Sequence, residues 1–145
     1  AVTDIRRDLV PKSLSEMERM KDVIRLINQK QDGEPVWLEI TMLNGINDRP
    51  ADASALVEFS RGLNVQINLI PYNSTRSQEI SDGTKSIPLM FHGSELDSTE
   101  LNKIFMIAQY LRDNGLVVRV RNSFGGQDNA ACGQLALSKT PLQNR

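Results

Sequence analysis

The chain has 145 residues with 17 basic and 18 acidic side chains, which give a formal net charge of −1 at pH 7. This length fits one domain with its own hydrophobic core, and the balanced charge excludes a uniformly basic nucleic-acid-binding protein. The single cysteine excludes an intrachain disulfide and a cysteine-rich metal site. The charged N-terminus and the absence of a long apolar run predict a cytoplasmic protein without a signal peptide or a membrane span.

The first predicted element, after an irregular stretch over residues 1–12, is an amphipathic helix. The segment Ser13-Leu14-Ser15-Glu16 fits a capping box at its start. Gly33 ends the helical pattern, because glycine commonly stands directly after a helix. The apolar residues that recur at helical spacing are Met17, Met20, Ile24 and Ile27. We interpret the methionines as core residues and not as a cofactor site.

The first predicted strand spans residues 36–43, where apolar and polar side chains alternate. A turn follows, and Asp48 is placed to cap a second helix that carries Pro50 in its first turn and ends at Gly62. The apolar side of this helix consists of Ala53, Leu56, Val57 and Ser60. The second predicted strand spans residues 65–70 and is closed by Pro71.

A long polar loop over residues 73–96 comes next, and long loops in compact domains are usually functional or disordered. Its apolar centre at residues 87–91 is expected to fold over a site or to form an interface. The loop contains His92, the only histidine, which we interpret as a loop residue because no second metal ligand is close in sequence.

A third helix is predicted after a capping segment at residues 97–100, and Gly115 ends it. Its apolar face consists of Leu101, Ile104, Phe105, Ala108 and Leu111. The third predicted strand spans residues 116–121. Leu116, Val118 and Val120 lie on one side, and Val117, Arg119 and Arg121 lie on the other.

This alternation of helices and strands predicts a single α/β domain over residues 1–145, with a three-stranded, mostly parallel sheet and all helices on one face. The other face would carry polar side chains from all three strands: Glu39, Thr41, Gln66, Asn68, Arg119 and Arg121. Such a face is either a ligand cavity or a solvent-exposed side, and alternation alone leaves both interpretations open. Sites in parallel sheets lie at the C-terminal strand ends, where Asp48, Asn73 and the loop before Cys132 are expected to gather.

The C-terminal segment over residues 122–145 contains the only cysteine, Cys132, between small residues. A lone cysteine is by default a small buried hydrophobe. The neighbouring Ala131 and Gly133 nevertheless leave room around the sulfur, which suits covalent chemistry at an exposed thiol. If this stretch stood alone, the buried hydrophobe would be the favoured interpretation.

Four motifs in order resemble a known family. They read ITMLNGIND at 40–48, INLIPYN at 67–73, VRVR at 118–121 and AACGQL at 130–135. Together they resemble the C-terminal part of the RlmN/Cfr-like radical S-adenosylmethionine (SAM) methyltransferases, which act on adenine in ribosomal RNA and some transfer RNAs. The similarity covers about residues 1–136. It implies that the predicted sheet is a fragment of the family's (β/α) partial barrel.

The resemblance also implies a role for two residues. In that family the cysteine of the Ala-Cys-Gly-Gln-Leu motif is methylated by SAM and carries the methylene group to adenine, a role that falls here on Cys132. The asparagine that closes the Ile-Pro-aromatic-Asn motif helps to hold SAM, and here it is Asn73. Without the resemblance, Asn73 would be read as a turn residue after a strand.

The sequence departs from the family in several respects. It has no Cys-x3-Cys-x2-Cys loop, which in the family holds a [4Fe-4S] cluster, so this chain alone is expected to bind no iron–sulfur cluster. The glycine-rich SAM strand, the Gly-Glu contact and the second cysteine of the family are missing as well. Phe124-Gly125-Gly126-Gln127 stands where the family commonly has Arg-Gly-Asp-Asp.

Three hypotheses of function follow. The first is a truncated RlmN/Cfr-like methyltransferase that is inactive alone, and the second is an accessory module that binds SAM or RNA. The third is a structural or interaction protein that reuses the half-barrel. The second requires a positive patch around Arg119 and Arg121, whereas the third requires these arginines to be paired or buried. Because a piece of a barrel exposes two strand edges, we also predict a homo-oligomer, most simply a dimer.

Overall fold

A computed structural model describes residues 17–30, 32–73 and 90–121 of the chain. The helices and strands in chain order are α1 (Met17–Lys30), β1 (Val36–Met42), α2 (Pro50–Ser60), β2 (Val65–Pro71), β3 (Met90–Phe91), β4 (Ser94–Glu95), α3 (Leu101–Asp113) and β5 (Val117–Val120). The strands β1, β2 and β5 form a parallel sheet in the order β1–β2–β5, and β3 and β4 form a small antiparallel hairpin. The predicted α/β fold with a three-stranded parallel sheet is confirmed.

The burial of each strand follows its place in the sheet. On β1, an outer strand, exposed residues alternate with half-buried residues as far as the buried Met42. On β2, which lies between the other two strands, five consecutive residues from Val65 to Leu69 are buried. The central strand therefore buries both its apolar side chains and the polar side chains Gln66 and Asn68.

The three helices of the described residues all pack on one face of the sheet, as predicted. The larger cluster joins α3 to the sheet, with Leu56 and Val57 of α2 packed against it. Its buried residues are Met42, Ile67, Leu69, Ile104, Ala108, Leu111 and Val118. A smaller cluster at the N-terminal ends of β1 and β2 joins Ile24 of α1 to Phe59 and Val65, with Met17 and Met20 at its border. The interpretation of these methionines as core residues is thus confirmed.

The start of α2 corrects one prediction. Arg49, not Asp48, is the N-cap residue, with extended backbone angles of φ −86° and ψ 157°. The Asp52 carboxylate accepts hydrogen bonds from the backbone N–H of Arg49 at 3.1 Å and from its guanidinium at 2.7 and 2.9 Å. Asp48 is buried, and its carboxylate accepts a hydrogen bond from Thr99 in another segment, so it is not available to cap this helix.

The start of α3 corrects a second prediction. Its N-cap residue is Glu100, which makes no capping hydrogen bond through its side chain. The hydroxyl of Thr99, within the predicted capping segment, instead donates to Asp48. The predicted apolar face is also narrower, because Leu101 and Phe105 lie on its flank and are 47% and 45% exposed.

Two further boundaries differ from the predictions. The strand β5 is shorter than the predicted 116–121, because the N–H of Leu116 is bonded to the carbonyl of Leu111 in the turn that ends α3. The predicted loop over 73–96 contains the hairpin β3–β4, whose turn includes His92 with φ 48° and Gly93 with φ 81°. The His92 ring stacks on Phe91 with 4.1 Å between ring centroids.

Candidate functional site

The turn after β1 is held in shape by its own side chains. The Asn47 amide accepts from the N–H of Leu43 and donates to the carbonyl of Thr41, each at 2.8 Å. The Asp48 carboxylate accepts from the N–H of Gly45 at 3.0 Å, and Gly45 has φ 70°, which glycine adopts without strain. The loop at the C-terminal end of β1 therefore has a defined conformation.

Asp48 also connects this loop to the first turn of α3. Its carboxylate accepts a hydrogen bond from the Thr99 hydroxyl at 3.1 Å and pairs with the Lys103 ammonium at 2.9 Å. The Asp48 side chain is fully buried, whereas that of Lys103 is 44% exposed. A buried carboxylate with three partners is a structural anchor, because its hydrogen-bonding capacity is directed at the protein itself.

Backbone hydrogen bonds place the end of β2 beside the same loop. The carbonyl of Met42 accepts from the N–H groups of both Tyr72 and Thr99, each at 3.4 Å. The N–H of Asn44 donates to the carbonyl of Asp97 at 2.9 Å. The predicted site residues Asp48 and Asn73 thus lie in loops that leave neighbouring strands at the same end of the sheet, as expected for parallel strands.

Asn73 is half-buried directly after β2, and its side chain makes no hydrogen bond to any residue in the described ranges. Its neighbour Tyr72 has a raised pKa, mainly because burial disfavours the phenolate and also because the Glu95 charge is close. Tyr72 therefore keeps its proton at neutral pH. An amide and a neutral hydroxyl at this edge can both donate to and accept from a polar ligand.

On the polar face of the sheet, the side chains of the outer strands are exposed and those of the central strand are buried. Glu39, Asn68 and Arg119 lie directly opposite one another across the sheet, and the Asn68 amide donates to the Glu39 carboxylate at 3.4 Å. Glu39 and Arg119 are exposed, as are Thr41 and Arg121 at the edges. Solvent therefore reaches the outer strands of this face but not the central one, and the ligand-cavity interpretation stays a prediction.

Gln66 is the one polar side chain of this face whose amide nitrogen is buried without a hydrogen-bond partner in the described part of the chain. Such a donor costs about 1–3 kcal/mol of folding free energy relative to a satisfied one. Above it, the Arg119 guanidinium carbon lies 5.3 Å from the centroid of the Trp37 ring. The Trp37–Arg119 contact was not predicted, because it depends on the register of strands that are far apart in sequence.

A cavity of about 720 Å³ lies on the helical side of β1, between α1 and α2. Its lining is mainly apolar and includes Met17, Ile40, Met42, Leu56 and Phe59. The cavity was not predicted from the sequence, although the helical pattern of α1 includes Met17, which lines it. Its lining also includes the polar residues Lys21, Asp52 and Glu58, and it extends to Asn47 and Tyr72 at the C-terminal ends of β1 and β2.

Cys132 lies outside the described residues. Among the residues described, no group of three His, Cys, Asp or Glu side chains is arranged to hold a metal ion. None of the described helices is long and apolar enough to cross a membrane.

Comparison with known proteins relates this geometry to one class. No protein-family model matches the chain. A crystal structure of a radical SAM methyltransferase from Sphaerobacter thermophilus matches with a TM-score of 0.70 and 28% identity, over 90% of this chain and 34% of that one. A domain of a pyruvate-formate lyase-activating enzyme from Bacteroides vulgatus matches with a TM-score of 0.55 and 15% identity, over 82% of this chain and 60% of that one. The fold is therefore that of part of a radical SAM enzyme barrel.

Relatives in sequence indicate which kind of radical SAM enzyme this chain resembles. A probable dual-specificity RNA methyltransferase RlmN from Chlorobaculum tepidum is 42% identical over 71% of this chain, and one from Chlorobium luteolum is 31% identical over 97%. The chain is thus RlmN-like, with homology to one part of these methyltransferases. It spans 23% and 35% of the lengths of these two relatives, so about a quarter to a third of such a protein.

Proposed function

We propose that this chain is the C-terminal, SAM-contacting part of an RlmN-like RNA methyltransferase and that it does not transfer methyl groups alone. The relatives that support this are named as dual-specificity RNA methyltransferases. The observation that carries the proposal is the position of Asn73. Its amide stands at the C-terminal end of β2, where ligands bind in parallel sheets, without a partner in the described ranges.

Asn73 fits SAM by its chemistry. The amide oxygen can accept from an ammonium group and the amide nitrogen can donate to a carboxylate, which are the two charged groups of an amino-acid moiety. The anchored loop after β1 lies beside it, since Tyr72 and Thr99 share the carbonyl of Met42. SAM, when bound, supplies the methyl group, and the role of Asn73 is to orient its amino-acid end.

The resemblance assigns the methyl-carrying role to Cys132. Its small neighbours in sequence leave room for a second group at the sulfur, and a thiolate is the nucleophilic form. The chain holds this single cysteine, so a cluster bound by three cysteines needs residues outside this sequence. We therefore derive no radical step from this chain and expect it to be inactive in RNA methylation by itself.

The SAM contact is tested by isothermal titration calorimetry of the chain with SAM. We expect binding that the Asn73→Ala variant weakens at least tenfold, because the variant lacks both hydrogen-bonding groups of the amide. Asn102→Ala is the matched control, since Asn102 is exposed on α3, and its affinity should equal that of the unmodified chain. Equal affinity of all three proteins for SAM, or no binding at all, would contradict the proposed contact.

The methyl-carrying role is separable from SAM binding. An accessory module that only binds SAM would show the same calorimetry but would never carry a methyl group on Cys132. Mass spectrometry of the C-terminal peptide, after co-expression with the Chlorobaculum tepidum relative, distinguishes the two, with Cys132→Ser as the unmodifiable control.

A further inference from the structure

The cavity between α1 and α2 joins the two clusters of the hydrophobic core. Met42 and Leu69 line it and belong to the larger cluster, and Phe59 lines it and belongs to the smaller one. Protein interiors are close-packed and contain few voids larger than a water molecule. A space of about 720 Å³ with a mainly apolar wall, placed between two parts of one core, therefore calls for an occupant.

The cavity opens beside the start of α1. Its lining includes Met17, the first residue of α1, and also Glu18 and Lys21. The Lys21 ammonium lies 5.5 Å from the centroid of the Phe59 ring and 3.4 Å from the Glu18 carboxylate. The Lys21 side chain is 20% exposed and forms part of the wall, whereas that of Glu18 is 77% exposed and marks the opening. The chain that precedes Met17 therefore enters α1 at the opening of the cavity.

The 16 residues before Met17 carry apolar side chains that suit this wall. They include Ile5, Leu9, Val10 and Leu14. Leu14 precedes Met17 by three residues, which places both on one face of the helix if its pattern begins at the predicted cap, Ser13. Pro11 disfavours helix at Val10, so the chain is expected to leave the helical path there. Residues 1–12, when extended, reach about 40 Å, much farther than the width of the cavity.

We propose that the N-terminal segment (residues 5–14) packs into this cavity, with Leu9, Val10 and Leu14 against its apolar wall. Because the segment is joined to α1, its effective concentration at the cavity exceeds that of a separate partner. The charges agree with this occupant. Residues 5–12 carry three basic side chains and one acidic side chain, and the exposed carboxylates of Glu18 and Glu58 stand at the cavity.

The segment then supports two loops at the C-terminal end of the sheet from the helical side. The lining of the cavity reaches Asn47 in the loop after β1 and Tyr72 after the centre of β2. The N-terminal segment is thus a strap that fixes these loops against the core. This proposal does not rest on the proposed function, because the strap packs in the same way whether or not SAM binds.

NMR of the full chain with labelled methyl groups tests the position of the segment without any substitution. We expect nuclear Overhauser effects (NOEs) between the methyl groups of Val10 or Leu14 and those of Leu56, which lines the cavity. NOEs within the core cluster that contains Ile67 and Ile104 are the internal control. A mixture of differently labelled chains separates contacts within one chain from contacts between two. Contacts between chains only, or no NOE from the segment to the cavity while the core NOEs are seen, would overturn the proposal.

Val10→Asp places a charge in the filled cavity and should expel the segment. We expect the fluorescence of an uncharged apolar dye, Nile red, to rise at least threefold with this variant, because the apolar wall becomes accessible. Val2→Asp makes the same change outside the segment and is the matched control, with the emission of the unmodified chain. Equal emission with all three proteins would refute the strap. If circular dichroism shows that Val10→Asp is unfolded, Val10→Ser replaces it, with the same expected order and the same contradiction.

Discussion

At the scale of single residues, Asp48 shows how a polar side chain can determine the geometry of a site without taking part in its chemistry. Its buried carboxylate joins the loop after β1 to Thr99 and Lys103 at the start of α3. Both segments lie beside the end of β2, where Asn73 stands. We therefore expect Asp48 to act as a positioning residue for the loops at this end of the sheet.

The Asp48→Ala variant should lower the free energy of unfolding by about 2–4 kcal/mol, because the substitution orphans the Gly45 N–H and the Thr99 hydroxyl and removes the ion pair with Lys103. Urea denaturation measures this loss. Asp113→Ala is the matched control: its side chain is exposed on α3 and, among the described residues, accepts only from Gln109, so the change should stay within about 0.5 kcal/mol. Similar losses in the two variants would rule out a special role for Asp48.

At the scale of elements, the start of α2 links stability to pH. The pKa of Asp52 is lowered from its ordinary value of 3.8, chiefly because its carboxylate accepts hydrogen bonds from Arg49. A carboxyl group whose pKa is lower in the folded than in the unfolded state contributes stability above the unfolded pKa. That contribution is lost as the pH falls through the folded pKa.

We therefore expect the difference in unfolding free energy between the unmodified chain and Asp52→Asn to be constant near neutral pH and to shrink below about pH 4. Chemical denaturation across this range measures it. Arg49→Ala should reproduce much of the effect, since the guanidinium is the principal cause of the lowered pKa. Parallel stability curves for Asp52→Asn and the unmodified chain at every pH would contradict this assignment.

The elements also show what the sequence could and could not predict. The apolar alternation in β1 and β2 and the helical spacing in α1 and α3 are local, so the sheet, the helices and their common face followed from periodicity. The caps at Arg49 and Glu100 could not be predicted, because Asp48 and Thr99 bind each other across 51 residues. The side chains that local capping rules assign to the helix starts are engaged in a tertiary contact instead.

Part of the candidate site could also be predicted from the sequence. The parallel topology placed Asn73 and Asp48 at one end of the sheet, and alternation correctly placed Glu39, Gln66, Asn68 and Arg119 on one face. The contact of Arg119 with Trp37 depends on the register of β1, β2 and β5, which local patterns do not determine. The methyl-carrying role of Cys132 stays a prediction from resemblance.

At the scale of the whole molecule, the outer edges of β1 and β5 have no strand beside them among the described residues. Along β1 this edge is bordered by the apolar cavity between α1 and α2. Unpaired edges next to apolar surface recruit further strands. We therefore propose that the chain self-associates, most simply as a dimer, through such an edge.

Sedimentation equilibrium over a range of concentrations tests the association, and the predicted result is a mass that rises toward that of a dimer. Ile40→Lys places a charge in the cavity beside the β1 edge and should shift the equilibrium toward monomer, whereas Lys30→Ala, at the end of α1, should not. A monomer at all concentrations would contradict this proposal. If neither variant changes the equilibrium, the β1 edge is excluded as the interface.

The proposed function depends most on SAM binding at the C-terminal ends of the strands. The most direct measurement is the SAM titration followed by NMR, which reports each backbone amide separately. We expect the amide shifts of Asn44, Asp48, Tyr72 and Asn73 to move together with a single saturation curve, while those of Trp37 and Gln66 stay unchanged. Shifts confined to Trp37 and Gln66, or no shifts at saturating SAM, would contradict the assignment of this end of the sheet as the cofactor site.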